Sequence, residues 1–287
     1  MTVRNFVPEI WSARLLVALR KSLVYAAPTV VNRDYEGEIS ESGDTVRITS
    51  VSRPAIGTYT PGSTTITPET LTTGQRTLVV DQSKYWAFAI DDVDKRQAKS
   101  NLIPQAMSEA AYALADTVDQ YVAGLYTQIQ SANFLNVVGS PIDTYTTATD
   151  AYDKVLVPLR TKLTKANVPT AGRYVIVSPE FYASLLKDDR FVKADNAGTD
   201  AGLRNGMVGR AAGFDIYESN NVPNPSGDTQ VITAGTNAAI TFAEQINKTE
   251  AYRPENSFSD AVKGLALYGA KVVRPDALAA AFINPAA

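Results

Sequence analysis

The sequence predicts an α+β fold organised around one long helix, with a β-ribbon before it and a mixed strand–helix module after it. Three patterns carry that prediction. Apolar residues keep helical spacing across 100–132, apolar and polar residues alternate at Thr45–Val51 and Arg76–Gln82, and short apolar strands alternate with helix signals from residue 173 onward.

Residues 8–25 read as an amphipathic helix. Pro8 suits a first turn, Trp11, Leu15, Leu19 and Leu23 recur every four residues, and Arg14, Arg20 and Lys21 fall off that stripe. A lone helix of this length is marginal in water, so the stripe needs cover. The cover is either the core of the same subunit or the surface of a neighbouring one.

Residues 36–92 read as a long two-stranded excursion with an irregular tip. The alternating segments, with the run Lys84–Ile90, flank a Thr-rich stretch holding Pro54, Gly57, Pro61, Gly62 and Pro68. Large apolar residues are scarce between 52 and 75. An isolated two-stranded ribbon is barely stable, so it is expected to lie on something else, with the next subunit as the candidate.

The helix at 100–132 is the clearest element. Ser100 or Asn101 can cap it, Pro104 fits its first turn, and Met107, Ala110, Ala111, Leu114, Val118, Tyr121, Val122, Leu125 and Ile129 share a face. Its expected length is roughly 45 Å. Another helix is expected within 141–167, opened by the capping-box variant Thr147–Asp150 and kinked or broken at Pro158. Strands are expected at 173–177, 214–217, 230–233, 239–242 and 263–273, with Ser178-Pro179-Glu180 starting a helix after the first.

Composition narrows the function. The chain has 287 residues, 45% hydrophobic and 20% charged, and a formal net charge of -3. Its length allows one or two domains. No basic excess marks a dedicated nucleic-acid binder. There is no Cys and no His, which excludes Ser-His-Asp and Cys-His catalysis, disulfides and Cys-ligated zinc within one chain. No apolar run reaches the roughly 18 residues of a membrane span, and no apolar signal-peptide stretch follows Met1.

Local motifs read modestly. Asp91-Asp92-Val93-Asp94 is a cluster of carboxylates followed by Lys95-Arg96, and a solvated or salt-bridged turn fits it better than a metal site. Gly206, Gly209 and Gly213 lack the phosphate-loop spacing and serve turns. Arg47, Arg53 and Arg76 are charges on the ribbon, available to keep it soluble or to meet acidic groups near Glu250, Glu255 or Asp260 of an adjacent subunit.

Three C-terminal stretches resemble the coat proteins of tailed phages that share the Hong Kong 97 capsid fold. They are Gly206–Pro223, with Ala211-Ala212-Gly213-Phe214-Asp215-Ile216-Tyr217, then Ala239 through Tyr252-Arg253-Pro254-Glu255, and then Phe258 to Asp276. The order of elements resembles that family along nearly the whole chain. The resemblance implies an N-terminal arm (1–35), an extended loop with its flanks (36–92), a peripheral domain carrying the spine helix (93–140), an apical domain (141–240) and a return to the peripheral domain (241–287).

It further implies a non-enzymatic major capsid protein without cofactors. Such a subunit assembles as pentamers and hexamers into an icosahedral head around double-stranded DNA, in the virion and built in the host cytoplasm. The ribbon starts near residue 45, leaving no room for a fused scaffold of about a hundred residues before it, so a separate scaffolding protein is expected. A portal, decoration proteins and weak contact with packaged DNA complete the expected partners, with no membrane. Some relatives join subunits through a Lys-to-Asn bond, and Lys84 lies in the corresponding region, but an ordinary surface role suits it better. Contact candidates between subunits are Trp11, Leu15, Leu19, Arg47, Arg53, Tyr59, Arg76, Glu250, Glu255 and Asp260. An encapsulin-type compartment shell is the alternative reading of the same fold, and a carboxylate-dependent enzyme is a remote one.

Overall fold

The computed structural model describes residues 24–34, 45–51, 54–63, 65, 68–70, 73–91, 102–192, 209–256 and 258–285. The helix expected over 8–25 lies outside them up to residue 23, as do Asp92, Asp94 and Gly206.

Strands β1 (Thr45–Val51) and β2 (Thr73–Val79) pair antiparallel as an isolated two-stranded ribbon, with Arg47 opposite Thr77 and Ile48 opposite Arg76. Strand β3 (Gln82–Asp91) was expected within the same excursion. It instead leaves the ribbon and pairs with β11 (Ser259–Val272), which pairs in turn with β10 (Ile240–Tyr252). The reason lies in its side chains: Trp86 and Phe88 stack at 5.7 Å and pack on the main core. Burying two aromatic rings outweighs staying on a solvated ribbon.

Helix α1 (Leu102–Ala123) buries Met107, Ala111, Leu114, Ala115, Val118 and Val122. It ends earlier than the spacing predicts. Gly124 opens a tighter 3-10 turn, Gly124–Gln128, that still buries Leu125, so the apolar rhythm continues without the α-helix. At 22 residues α1 is about 33 Å long, and the poor helix propensity of Gly accounts for the stop.

Strands β4 (Phe134–Leu135), β5 (Ile142–Asp143), β6 (Arg173–Val177), β7 (Arg210–Ala211), β8 (Phe214–Glu218), β9 (Gln230–Thr236) and β12 (Leu278–Asn284) form a seven-stranded mixed sheet. Its order is β4–β12–β9–β6–β8–β7, with β5 also on β12. Helix α2 (Val157–Lys165) follows directly on a π-helical stretch, Ala151–Leu156. Pro158 therefore does not break the helix: it occupies the first turn of α2, where its missing N–H matters least, after a wider π turn has re-set the bonding. Ser178 caps α3 (Pro179–Leu186) by accepting from the Phe181 N–H at 3.2 Å, and α4 (Asp189–Val192) follows.

Two arginine sites brace this module. The buried Arg173 guanidinium donates to the carbonyls of Pro169 (2.8 Å) and Val168 (2.6 Å) and to Thr164 Oγ1 (3.0 Å), closing the C-terminal end of α2. Arg190 joins Asp188 to Asp153 and lies over the Tyr152 ring, 4.6 Å from its centre.

Candidate assembly surfaces

Among the described residues the tip of the ribbon is uncovered. Every tip residue whose burial is described, across 54–70, is exposed; Ile56 is 97% exposed and Tyr59 63%. The tip keeps local order through a turn at Thr60–Ser63, with Gly62 at φ 83°, and through the Ala55 N–H donating to Glu69 Oε2 at 2.8 Å. Apolar side chains held out on an ordered turn make the tip a candidate contact surface.

The base of the ribbon, by contrast, is seated. Leu78 and Val80 from the ribbon side bury with Ala243 and Leu267 in a small cluster apart from the main core, with Ile48 against it. Gly269 on β11 makes the seat possible: a Cβ there would lie 2.3 Å from the Val79 carbonyl oxygen. Arg76 Nη1 donates to the Val272 carbonyl at 3.3 Å, so this guanidinium ties the ribbon to its own body.

The second surface is a face of the β10–β11–β3 sheet. Tyr85, Ala87, Glu250, Tyr252, Lys263 and Leu265 line a shallow depression of ≈ 520 Å³. Tyr85 is 83% exposed. Lys263 Nζ pairs with Glu250 Oε2 at 3.1 Å and sits 5.2 Å from the Tyr252 ring centre, leaving an aromatic and aliphatic floor around one ion pair. Trp86 lies on the opposite face, packed flat on Gly264, which holds β3 in register under the depression. The β10–β11 turn beyond it carries exposed Glu255 and an 81% exposed Phe258.

Of the contact candidates, Trp11, Leu15, Leu19 and Arg53 lie outside the described residues. Arg47 is exposed on β1 and Tyr59 on the tip, Glu250 sits in the depression, Glu255 in the turn and Asp260 half-buried near the start of β11. Sequence reasoning missed Tyr85, Tyr252, Leu265 and Phe258. Alternation along β3 carries a signal for Tyr85, since Trp86 and Phe88 face inward. Lys84 is exposed beside it. Among the described residues no group of three or more Asp or Glu is placed to hold a metal ion.

Comparison with known proteins gives a consistent picture. Residues 72–281 match a family profile described as phage capsid protein. Over 99% of both chains the structure is similar to one from Mycobacterium phage Che8, with a TM-score of 0.75 and 32% identity. It is also similar to a structure described as the capsid of cyanophage P-SCSP1u (TM-score 0.69, 19% identity, 85% of this chain and 84% of that one). A virus-like particle from Pyrococcus furiosus shares the fold at TM-score 0.58 and 13% identity, over 95% of this chain and 98% of that one. No curated protein sequence matches the chain.

Proposed function

The chain belongs to the phage capsid protein family, and from that premise we propose how this major capsid protein of the virion builds its shell. It assembles with copies of itself. In the proposed mechanism each subunit lays its ribbon tip on the sheet face of the next, so that Ile56 and Tyr59 meet the floor formed by Tyr85, Tyr252 and Leu265. The observation that carries this reading is an ordered tip whose largest apolar side chains are bare while its base is firmly seated.

Magnitudes decide which contacts matter. Burying a large apolar side chain contributes about 1.5–3 kcal/mol. An exposed ion pair, such as Arg47 or Arg53 with Glu250, Glu255 or Asp260 of a neighbour, contributes roughly 0–1 kcal/mol. Apolar cover therefore supplies the affinity and the charges set register. Trp11, Leu15 and Leu19 add a second overlap from residues 1–35.

In this reading 36–92 is the overlapping loop, 93–140 and 241–287 make the peripheral body, and 141–240 is the apical module. Strand β12 joins the last two, pairing with β4 and β5 on one side and β9 on the other. Assembly proceeds through pentamers and hexamers, closed rings of one repeated contact. A separate scaffolding protein, a portal and decoration proteins act with it, DNA is touched only weakly by a chain of net charge -3, and the role is structural rather than catalytic. A compartment shell of the same fold is the second and weaker reading, because the family profile is a phage capsid one and the 32% identical structure comes from a phage; packaged DNA against a bound cargo peptide separates the two.

The test is to replace residues 54–70 by a short Gly-Ser turn, keeping β1, β2 and the seat. The expected result is a folded subunit that forms no shells. Shells of normal yield from that variant overturn the overlap mechanism.

A further inference from the structure

Asp119 lies near the C-terminal end of α1 at 2% exposure, yet it is no ordinary core residue. Its Oδ1 accepts from three successive backbone N–H groups, those of Val24 (2.9 Å), Tyr25 (2.6 Å) and Ala26 (3.4 Å). Its Oδ2 accepts from Asn221 Nδ2 at 3.1 Å. Burial pushes this carboxyl above its ordinary range, although all four donors pull the other way. A buried carboxylate is costly, and an apolar side chain would pack α1 more cheaply. Its four hydrogen bonds offset that cost, and they tie the carboxylate to residues 24–26 and to Asn221.

What it fixes is the root of the N-terminal segment. Tyr25, Ala26, Val30 and Val31 are buried, but apolar burial is non-directional and tolerates sliding. Hydrogen bonds are directional, and three N–H groups converging on one oxygen set the backbone path at 24–26. Further along, Asn32 exchanges backbone bonds with β10, at 2.8 Å to the Ile240 carbonyl and 2.9 Å from the Phe242 N–H. Arg33 donates to the Ala26 carbonyl at 3.0 Å and lies over the Phe242 ring.

We propose that Asp119 is a positioning residue for assembly: a clip that fixes where and in which direction the chain before Val24 leaves the body, and that locks this root to the Asn221 turn. The proposal rests on the capsid reading above.

The test uses the full chain, produced with the other head proteins of its phage, in four forms: wild type, Asp119→Ala, Asp119→Asn and Val155→Ala. The Asp119→Asn variant keeps a carbonyl oxygen for the three N–H groups, and Asn221 can turn its amide to face the new NH2. Val155 is buried in the π-helical stretch before α2 and takes no part in the clip's hydrogen bonds, so it serves as a control for simple loss of stability. Amide exchange at 24–26 is expected to rise at least ~10-fold in Asp119→Ala and to stay near wild type in the other two. The yield of closed shells from Asp119→Ala is expected to fall at least ~10-fold below that of Val155→Ala, with rescue by Asp119→Asn.

Unchanged exchange, or shells from Asp119→Ala as abundant as those of the control, overturns the clip. Should Asp119→Ala fail to fold, Asn221→Ala removes one donor from outside the root. It is expected to speed exchange at 24–26 about threefold or more, and no change there is equally fatal. If wild type itself forms no shells, the capsid reading falls while the exchange comparison still decides the clip.

Discussion

Gly269→Ala separates folding of the subunit from aiming of the ribbon. The added Cβ meets the Val79 carbonyl oxygen at 2.3 Å and the Val80 Cα at 2.9 Å, both backbone atoms that no rotamer change can move. Reaching an ordinary contact of 3.4 Å requires the base of the ribbon to retreat by about 1 Å. The seat is about one strand spacing wide, ~5 Å, and the paired part of the ribbon is ~20 Å long, so the tip swings by roughly 4 Å. Overpacking of this kind costs about 1–3 kcal/mol. It falls on the small Leu78–Val80–Ala243–Leu267 cluster and leaves the main core untouched. A subunit of this size should lose roughly 2–4 °C of melting temperature per kcal/mol. Calorimetry of the subunit and sedimentation of assembled material read the two effects apart. The expected outcome is a modest loss of melting temperature with loss of closed shells, while Gly139→Ala, whose Cβ meets nothing within 4 Å, assembles normally. Shells of wild-type size and yield from Gly269→Ala, or wholesale unfolding of the subunit, would show that the seat does not aim the ribbon.

Other outcomes follow from single sites. Ile56→Asp should leave the melting temperature of the subunit unchanged and reduce shell yield at least ~10-fold, because it removes about 1.5–3 kcal/mol per contact from an already bare position. Ala212 sits at φ 49° beside Gly213 at φ 81° in the β7–β8 hairpin turn; Ala212→Gly should stabilise the subunit by about 0.5–1.5 kcal/mol in a denaturant titration. Arg173→Lys should cost about 2–4 kcal/mol, since one ammonium cannot serve the Val168 and Pro169 carbonyls and Thr164 together. Burial alone would raise the Asp188 carboxyl, but Arg190 outweighs it and holds that group below its ordinary range. Its contribution is therefore present above the unfolded carboxyl value and lost as pH falls through the lower folded one. Melting temperature measured between pH 6 and 3 should fall less steeply for Arg190→Gln than for wild type, with pH values on the order of the carboxylate range.

Local signals were read correctly where local physics decides. Strand β6 and the Ser178 cap followed from five apolar-rich residues and a Ser-Pro-Glu start, and β1 from its alternation, whereas the segment expected at Arg76–Gln82 forms its strand three residues earlier, at Thr73–Val79. Long-range pairing was less legible. The alternation in β3 was visible, but only its partner β11 reveals that it belongs to the body. Strand β12 was missed because Ala279-Ala280-Ala281 has low strand propensity, and its wholly buried place beside β9 overrides that preference. The helix was drawn too long because Leu125 and Ile129 keep facing the core after the backbone tightens at Gly124. Asp119 gave no sign in the sequence: an acidic residue on a helix reads as surface until residues 24–26 and 221 are seen to close on it. The depression at Tyr85, Tyr252 and Leu265 joins the β10–β11 hairpin to β3, about 150 residues earlier in the chain, so no single window contains it.

In the proposed shell, bare surfaces on one subunit are covered by identical subunits. Sedimentation velocity of the full-length chain, produced with the scaffolding protein of its own phage, tests this most directly. Closed particles of megadalton mass are predicted, and a stable, well-folded species of 30.9 kDa alone would contradict it.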